Sequence, residues 1–292
     1  MGMTSKKFYK LWYIKFFILS IYGESQVLQV GSHISYFEIS NIPYLELKAQ
    51  GQIHRLLVDT GSSSVLELPR EILEKYSKPT KEVKKFQDVT GKIVEASIWT
   101  LSNINIFGSD FDDLKVNEVV DFGLSIADES TKMPETTSSV IGSSAFTDKK
   151  VILDFKQNHI KFCEDFSNVS SRIIWRDLKV SREGLEITIN VNGQNITAVI
   201  DTGASVSFCK EQSLRQNWRT KPTNEKHEQD AGVKGYLVLD SCDEFLKPSS
   251  EVSWNIFVYD FTPNVDMILG MDVLRGKILL LDFVNFKWAI VV

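Results

Sequence analysis

Cysteine and histidine are scarce in this chain of 292 residues, which has three of the first and four of the second. Cys163, Cys209 and Cys242 form no CxxC pair and no metal-ligand spacing, and His33, His54 and His159 are scattered. His227-Glu228 begins like a zinc-protease helix, but Ala231 stands where the second histidine belongs. No glycine-rich phosphate loop and no GxSxG nucleophile elbow occur. Neither a metal nor a cofactor is expected. Positive charge is also short: 33 Lys and Arg against 38 Asp and Glu give a net charge of −5, with no basic block beyond the N-terminus. Nucleic acid is therefore not an expected partner. After residue 25 no apolar run is long enough to cross a bilayer.

Apolar residues make up 43% of the chain, enough for a large core, and charged residues 24%, which argues against disorder. Residues 1–25 differ from the rest. Lys6, Lys7 and Lys10 precede an aromatic and aliphatic run interrupted by Lys15, and Gly23 and Ser25 are small residues near its end. This pattern predicts a secretory signal, with an uncleaved N-terminal anchor as the alternative. Without those residues, which carry four lysines and Glu24, the net charge falls from −5 to −8. Export would place the protein outside the cytoplasm, secreted or periplasmic, with membrane contact only through residues 1–25. In an oxidising compartment Cys209 and Cys242 have the option of pairing, and free buried thiols are the preferred reading.

The rest of the chain reads as a duplication. "RLLVDTG" at 55–61 and "TAVIDTG" at 197–203 each run an apolar stretch into Asp-Thr-Gly. Asp59 and Asp201 are 142 residues apart, and the same offset carries Leu45 to Ile187, Leu47 to Ile189, Gly51 to Gly193 and Gln52 to Gln194. Both copies predict a β-hairpin, with apolar alternation in the first arm and a glycine-centred turn; Asn192-Gly193 is a strong hairpin signal. Short helices are predicted in "LPREILEKY" and "CKEQSLRQNW". A second pair of motifs, around Gly142 and Asp154 and around Gly270 and Asp282, repeats at an offset of 128. The shorter offset fits a loop difference inside a common plan. The polar stretch 163–172 reads as the join. The expected organisation is an N-terminal lobe over 26–166, a linker over 167–171 and a C-terminal lobe over 172–292.

Two Asp-Thr-Gly motifs on apolar strands, each followed by an apolar-apolar-Gly pair (Ile141-Gly142, Leu269-Gly270), resemble the pepsin and retropepsin aspartic proteases. Ala204 after the second motif and "ILGMDVL" look closest to the retropepsin-like branch, here with both lobes in one chain. The resemblance covers nearly all of residues 40–292. It implies an all-β, bilobal acid-protease fold, two similar β-barrel-like lobes with short helices and a cleft between them. It also implies Asp59 and Asp201 as the catalytic pair, cross-braced by Thr60 and Thr202. Gly61 and Gly203 would leave room for backbone amides, and Ser62 and Ala204 would follow as supporting residues. Two adjacent carboxyls hold one proton between them, so one can activate water while the other donates to the scissile carbonyl. The Ser62 hydroxyl is expected to donate to Asp59 and favour its ionised form, a donor Ala204 does not offer Asp201. Residues 84–97 predict a hairpin lid with Val89, Thr90 and Gly91 near its tip, and 229–240 occupies the matching interval in the second lobe.

The expected function is aspartic endopeptidase, acting on protein or peptide substrates as a monomer. The alternative is an inactive module of the same shape that binds extended peptides.

Overall fold

The computed structural model describes residues 27–38, 41–87, 93–119, 139–169, 173–226, 229, 232–246, 256–261 and 264–291. The N-terminal 25 residues, with the expected signal or anchor, lie outside these, as do the linker positions 170 and 171.

Period-two burial builds the first hairpin. Along strand Pro43–Ala49, residues Pro43, Leu45, Leu47 and Ala49 are buried while Glu46 and Lys48 face solvent. This strand pairs antiparallel with Gln52–Asp59. At the turn Gln50 and Gly51 both take positive φ, 51° and 74°. The second hairpin, Gly184–Val191 with Gln194–Ile200, repeats the device with Asn192 at 49° and Gly193 at 77°. Two left-handed residues in sequence match the twist of the flanking strands, which is why Asn-Gly suits the position.

Each apolar-apolar-Gly strand lies parallel to an aspartate-bearing strand. Ser139–Gly142 runs beside Gln52–Asp59 with Gly142 opposite Asp59, and Met267–Leu269 runs beside Gln194–Ile200 with Leu269 opposite Ile200. The far side of each is closed by a short antiparallel strand, Leu66–Leu68 and Phe208–Cys209 respectively.

The strands form two sheets, of 11 and 12 strands. Lys150–Asp154 and His159–Cys163, the last strands of the N-terminal half, join the sheet of the C-terminal half. The contact is made by Lys150–Asp154 against Ile278–Asp282, antiparallel and centred on Ile152 opposite Leu280. Those two residues are themselves 128 apart, the repeat offset. Equivalent strands therefore pair with one another about a pseudo-two-fold axis, as in a self-complementary dimer interface. One buried apolar cluster runs from Leu28 to Trp288 and includes residues of both halves.

Helix is sparse. Arg70–Leu73 forms a single turn whose first carbonyl, that of Pro69, accepts from Ile72 and Leu73. The helix expected in "CKEQSLRQNW" shrinks to a three-residue 3-10 turn, Glu211–Ser213, because Lys210 and Leu214 on either side are extended. Among the described residues no helix is long and apolar enough to cross a membrane. None of the three cysteines forms a disulfide, so Cys209 and Cys242 are not bonded to each other; Cys209 is buried. Trp99 is buried in the core.

Candidate active site

The two hairpins end on Asp59 and Asp201, and the loops that follow them meet. Thr60 and Thr202 make the junction, both fully buried. The Thr60 amide donates to the Thr202 hydroxyl at 3.0 Å, and the Thr202 amide donates to the Thr60 hydroxyl at 3.0 Å. Each hydroxyl then donates onward, Thr60 to the Ile200 carbonyl at 2.8 Å and Thr202 to the Val58 carbonyl at 2.6 Å. Every donor and acceptor has its two-fold mate. Four buried bonds across one seam fix the loops against each other, because breaking any of them strands a buried polar group.

This brace brings the carboxyl groups of Asp59 and Asp201 into hydrogen-bonding contact. Gly61 and Gly203 make the approach sterically feasible. A β-carbon on Gly61 would lie 2.7 Å from the Asp201 carboxyl carbon, and one on Gly203 would lie 2.7 Å from that of Asp59. The main chain supplies further donors. Gly61 and Ser62 amides donate to Asp59 Oδ1 at 2.9 and 3.0 Å, and the Gly203 amide donates to Asp201 Oδ1 at 2.8 Å. Ala204 adds its own amide on the Asp201 side.

Burial lifts both carboxyls above the ordinary aspartate range. The charge of Asp201 raises Asp59 further, and the backbone donors pull the other way without cancelling the rise. The pair thus holds one proton over a window in which isolated aspartates would both be ionised.

The expected Ser62 contact is not made. Its amide reaches Asp59, but its hydroxyl donates 2.9 Å in the opposite direction, to Glu67 Oε1. The supposed reason for Asp59 to be the more ionised partner is therefore absent. Glu67 is a residue the sequence reading missed. Flanked by Leu66 and Leu68, it looks like the outward position of an alternating strand. Instead all three residues of Leu66–Leu68 are buried, because the strand is central, with Leu114–Glu118 on one edge and Ser139–Gly142 on the other. A lone acid in an apolar strand was the only signal available. Asp272 was missed too; it accepts from the Ser207 amide at 3.0 Å and hydroxyl at 2.7 Å, tying down the second loop.

Gly142 and Gly270 sit against the backs of the loops. A β-carbon on Gly142 would meet the Ser64 carbonyl at 2.4 Å, and one on Gly270 the Val206 carbonyl at 2.5 Å. The arms of the expected lid hairpin are present: Pro79–Gln87 pairs antiparallel with Ile93–Leu101. Lys84 on the first arm reaches the Ser63 carbonyl at 3.3 Å, so the hairpin is rooted on the loop that carries Asp59. Val89, Thr90 and Gly91 lie outside the described residues. In the second lobe the described residues of the matching interval include the short strand Gly235–Leu237. Among the described residues no cluster of three or more acidic, histidine or cysteine side chains could hold a metal ion.

The sequence profile of the retroviral aspartyl protease family matches residues 182–280, which contain the second hairpin, Asp201 and the Leu269-Gly270 pair. That segment is similar to the retropepsins. Two solved structures align with most of it: basic 7S globulin from soybean, at 11% identity and TM-score 0.46, and conglutin gamma, a basic 7S globulin from lupine seeds, at 10% identity and TM-score 0.44. Each alignment covers 91% of this chain and 95% of the other. No curated protein matches the chain in sequence.

Proposed function

We propose that the chain is an aspartic endopeptidase, with Asp59 and Asp201 as its catalytic groups. The observation that carries this reading is the pair of carboxyls in contact, raised by burial and fed by main-chain amides rather than by basic side chains. In the singly protonated pair, the ionised aspartate takes a proton from a water molecule held between the two. The protonated one donates to the carbonyl oxygen of the scissile peptide. Attack gives a tetrahedral diol, and return of a proton to the nitrogen releases the amine. No acyl-enzyme forms; the nearby Ser62 hydroxyl is turned to Glu67 and away from the carboxyl pair. Gly61 and Gly203 let each loop approach the opposite carboxyl with no β-carbon in the way. The lid hairpin, rooted through Lys84, is the element proposed to cover the substrate.

The test is inhibitor-sensitive cleavage of a diverse peptide mixture at acidic to neutral pH, using a hydroxyl-bearing transition-state analogue as inhibitor. Asp59→Asn or Asp201→Asn should lower kcat/KM by about 10²–10⁴-fold or more. Absence of cleavage, or full activity in both variants, overturns the proposal. Binding of extended peptides without cleavage would then favour an inactive binding module. Export through residues 1–25 is proposed alongside and is tested by N-terminal sequencing of the protein recovered outside the cell.

A further inference from the structure

Glu67 is not used by the mechanism above, yet it is 2% exposed and lies one hydrogen bond from a loop residue that touches Asp59. Its surroundings are polar by construction. The Ser62 hydroxyl donates to it at 2.9 Å, and the Ser64 hydroxyl also bonds to it. Ser64 in turn accepts from the Asn117 side-chain amide at 2.7 Å, and Asn117 is the backbone neighbour of Glu67 on the adjacent strand. The charged groups facing Glu67 are Asp59, from strand Gln52–Asp59, and Lys84, from the lid hairpin. Burial raises the Glu67 carboxyl above its ordinary range and depresses the Lys84 ammonium. The second lobe has no carboxyl at the position 142 residues on: that residue is Cys209, whose thiol burial pushes up to about 12, so it stays neutral, and the acid that holds the second loop is Asp272, through Ser207.

We propose that Glu67 is a positioning residue of the first aspartate. It grips Ser62 by the hydroxyl and so aims the Ser62 amide at Asp59 Oδ1, and its negative charge makes the carboxyl pair hold the shared proton to higher pH. The two effects come from one side chain but separate by substitution. Glutamine keeps an acceptor oxygen for Ser62 and removes the charge. Alanine removes both. This role of Glu67 deepens the proposed function, and rests on it only for the consequence in catalysis.

Nuclear magnetic resonance tests this without requiring turnover. The probes are ¹³C-carboxyl labels on aspartate, assigned through Asp59→Asn and Asp201→Asn, and the Ser62 amide proton. In Glu67→Gln the titration of the Asp59–Asp201 pair should move to lower pH by roughly 0.5–1 unit while the Ser62 amide shift stays near that of the parent protein. In Glu67→Ala the Ser62 amide should move upfield as its bond to Asp59 loosens. If the protein cleaves peptides, the alkaline limb of kcat/KM should move down with the titration in Glu67→Gln. A Glu67→Gln titration that superimposes on that of the parent overturns the charge effect. An unmoved Ser62 amide in folded Glu67→Ala overturns the positioning effect. An inactive parent protein overturns the proposed function instead, and the titration still decides the role of Glu67.

Discussion

Burial raises both Asp59 and Asp201, the charge of Asp201 raises Asp59 further, and among the described residues no basic side chain offsets the rise. This has a consequence for stability whose sign is fixed. A carboxyl whose pKa is raised by folding stabilises the native state while protonated, below its unfolded value of about 3.9. That contribution is lost as pH rises through the folded value. At neutral pH the pair is therefore a burden on the fold, kept for what it does. Asp201→Asn should melt a few degrees above the parent at pH 7, with the gap closing as pH falls toward about 4, read by calorimetry across that range. A gap that widens on acidification would contradict the assignment. Lys277 shows the same physics with opposite charge. It is 1% exposed, donates at 2.6 Å to the Val273 and Phe245 carbonyls, and is lowered to about 8 by burial. Its charged form is the costly one, so its pKa depression subtracts fully from stability below about pH 8, and the penalty fades as pH rises from there through the ordinary lysine value of 10.5.

At the scale of elements, the active loops are pressed between a glycine strand behind and the opposite loop in front. Gly142→Ala would set a β-carbon 2.4 Å from a carbonyl oxygen of the backbone, which cannot swing aside as a side chain can. Denaturant unfolding should show a loss of about 1–3 kcal/mol or more. Thr202→Val keeps the shape but removes the hydroxyl between the Thr60 amide and the Val58 carbonyl. Two buried groups lose their partner, at about 1–3 kcal/mol each. Its destabilisation in the same assay should exceed that of Ser144→Ala, whose hydroxyl makes one bond to the Ser63 carbonyl. These elements also show what could be read in advance. The hairpins were legible because one face is buried and the other wet, so the period is two, and because Asn-Gly names its own turn. The meeting of Asp59 and Asp201 was legible because the repeat implied it, and the threonine brace because of the resemblance to the pepsin and retropepsin proteases. Glu67 was not, since a strand covered on both faces carries no period, and the Ser62 hydroxyl was misdirected for the same reason: its true partner was invisible. The 3-10 turn at Glu211–Ser213 was overestimated because local helix preference was weighed without the extended residues that bound it.

For the whole molecule, the governing fact is that equivalent parts meet each other. The threonines exchange hydrogen bonds with their own repeats, and strand Lys150–Asp154 pairs with its own repeat, Ile278–Asp282. Fusing both copies in one chain makes the complete carboxyl pair intramolecular. Specific activity should therefore be independent of enzyme concentration down to high dilution; a fall on dilution would mean that a second chain completes the site. The converse prediction concerns the C-terminal half alone, residues 172–292. Cut from the rest, it would expose the edge of Ile278–Asp282, whose Leu279, Leu280 and Leu281 are all buried in the full chain. An open apolar edge seeks another strand. Here the required partner has the same pattern as the strand itself, because the native register is centred on repeat-equivalent residues. The isolated half should accordingly associate as a two-fold dimer, using Ile278–Asp282 against its copy and Thr202 against Thr202. Light scattering after size exclusion reads the mass directly. Leu281→Pro should abolish the dimer, since the odd-numbered residues of Ile278–Asp282 make the hydrogen bonds of that pairing and proline removes one of its ladder donors. A stable, folded monomer of the fragment would show that the shared sheet is a consequence of docking the two halves rather than a strand pairing the C-terminal half requires.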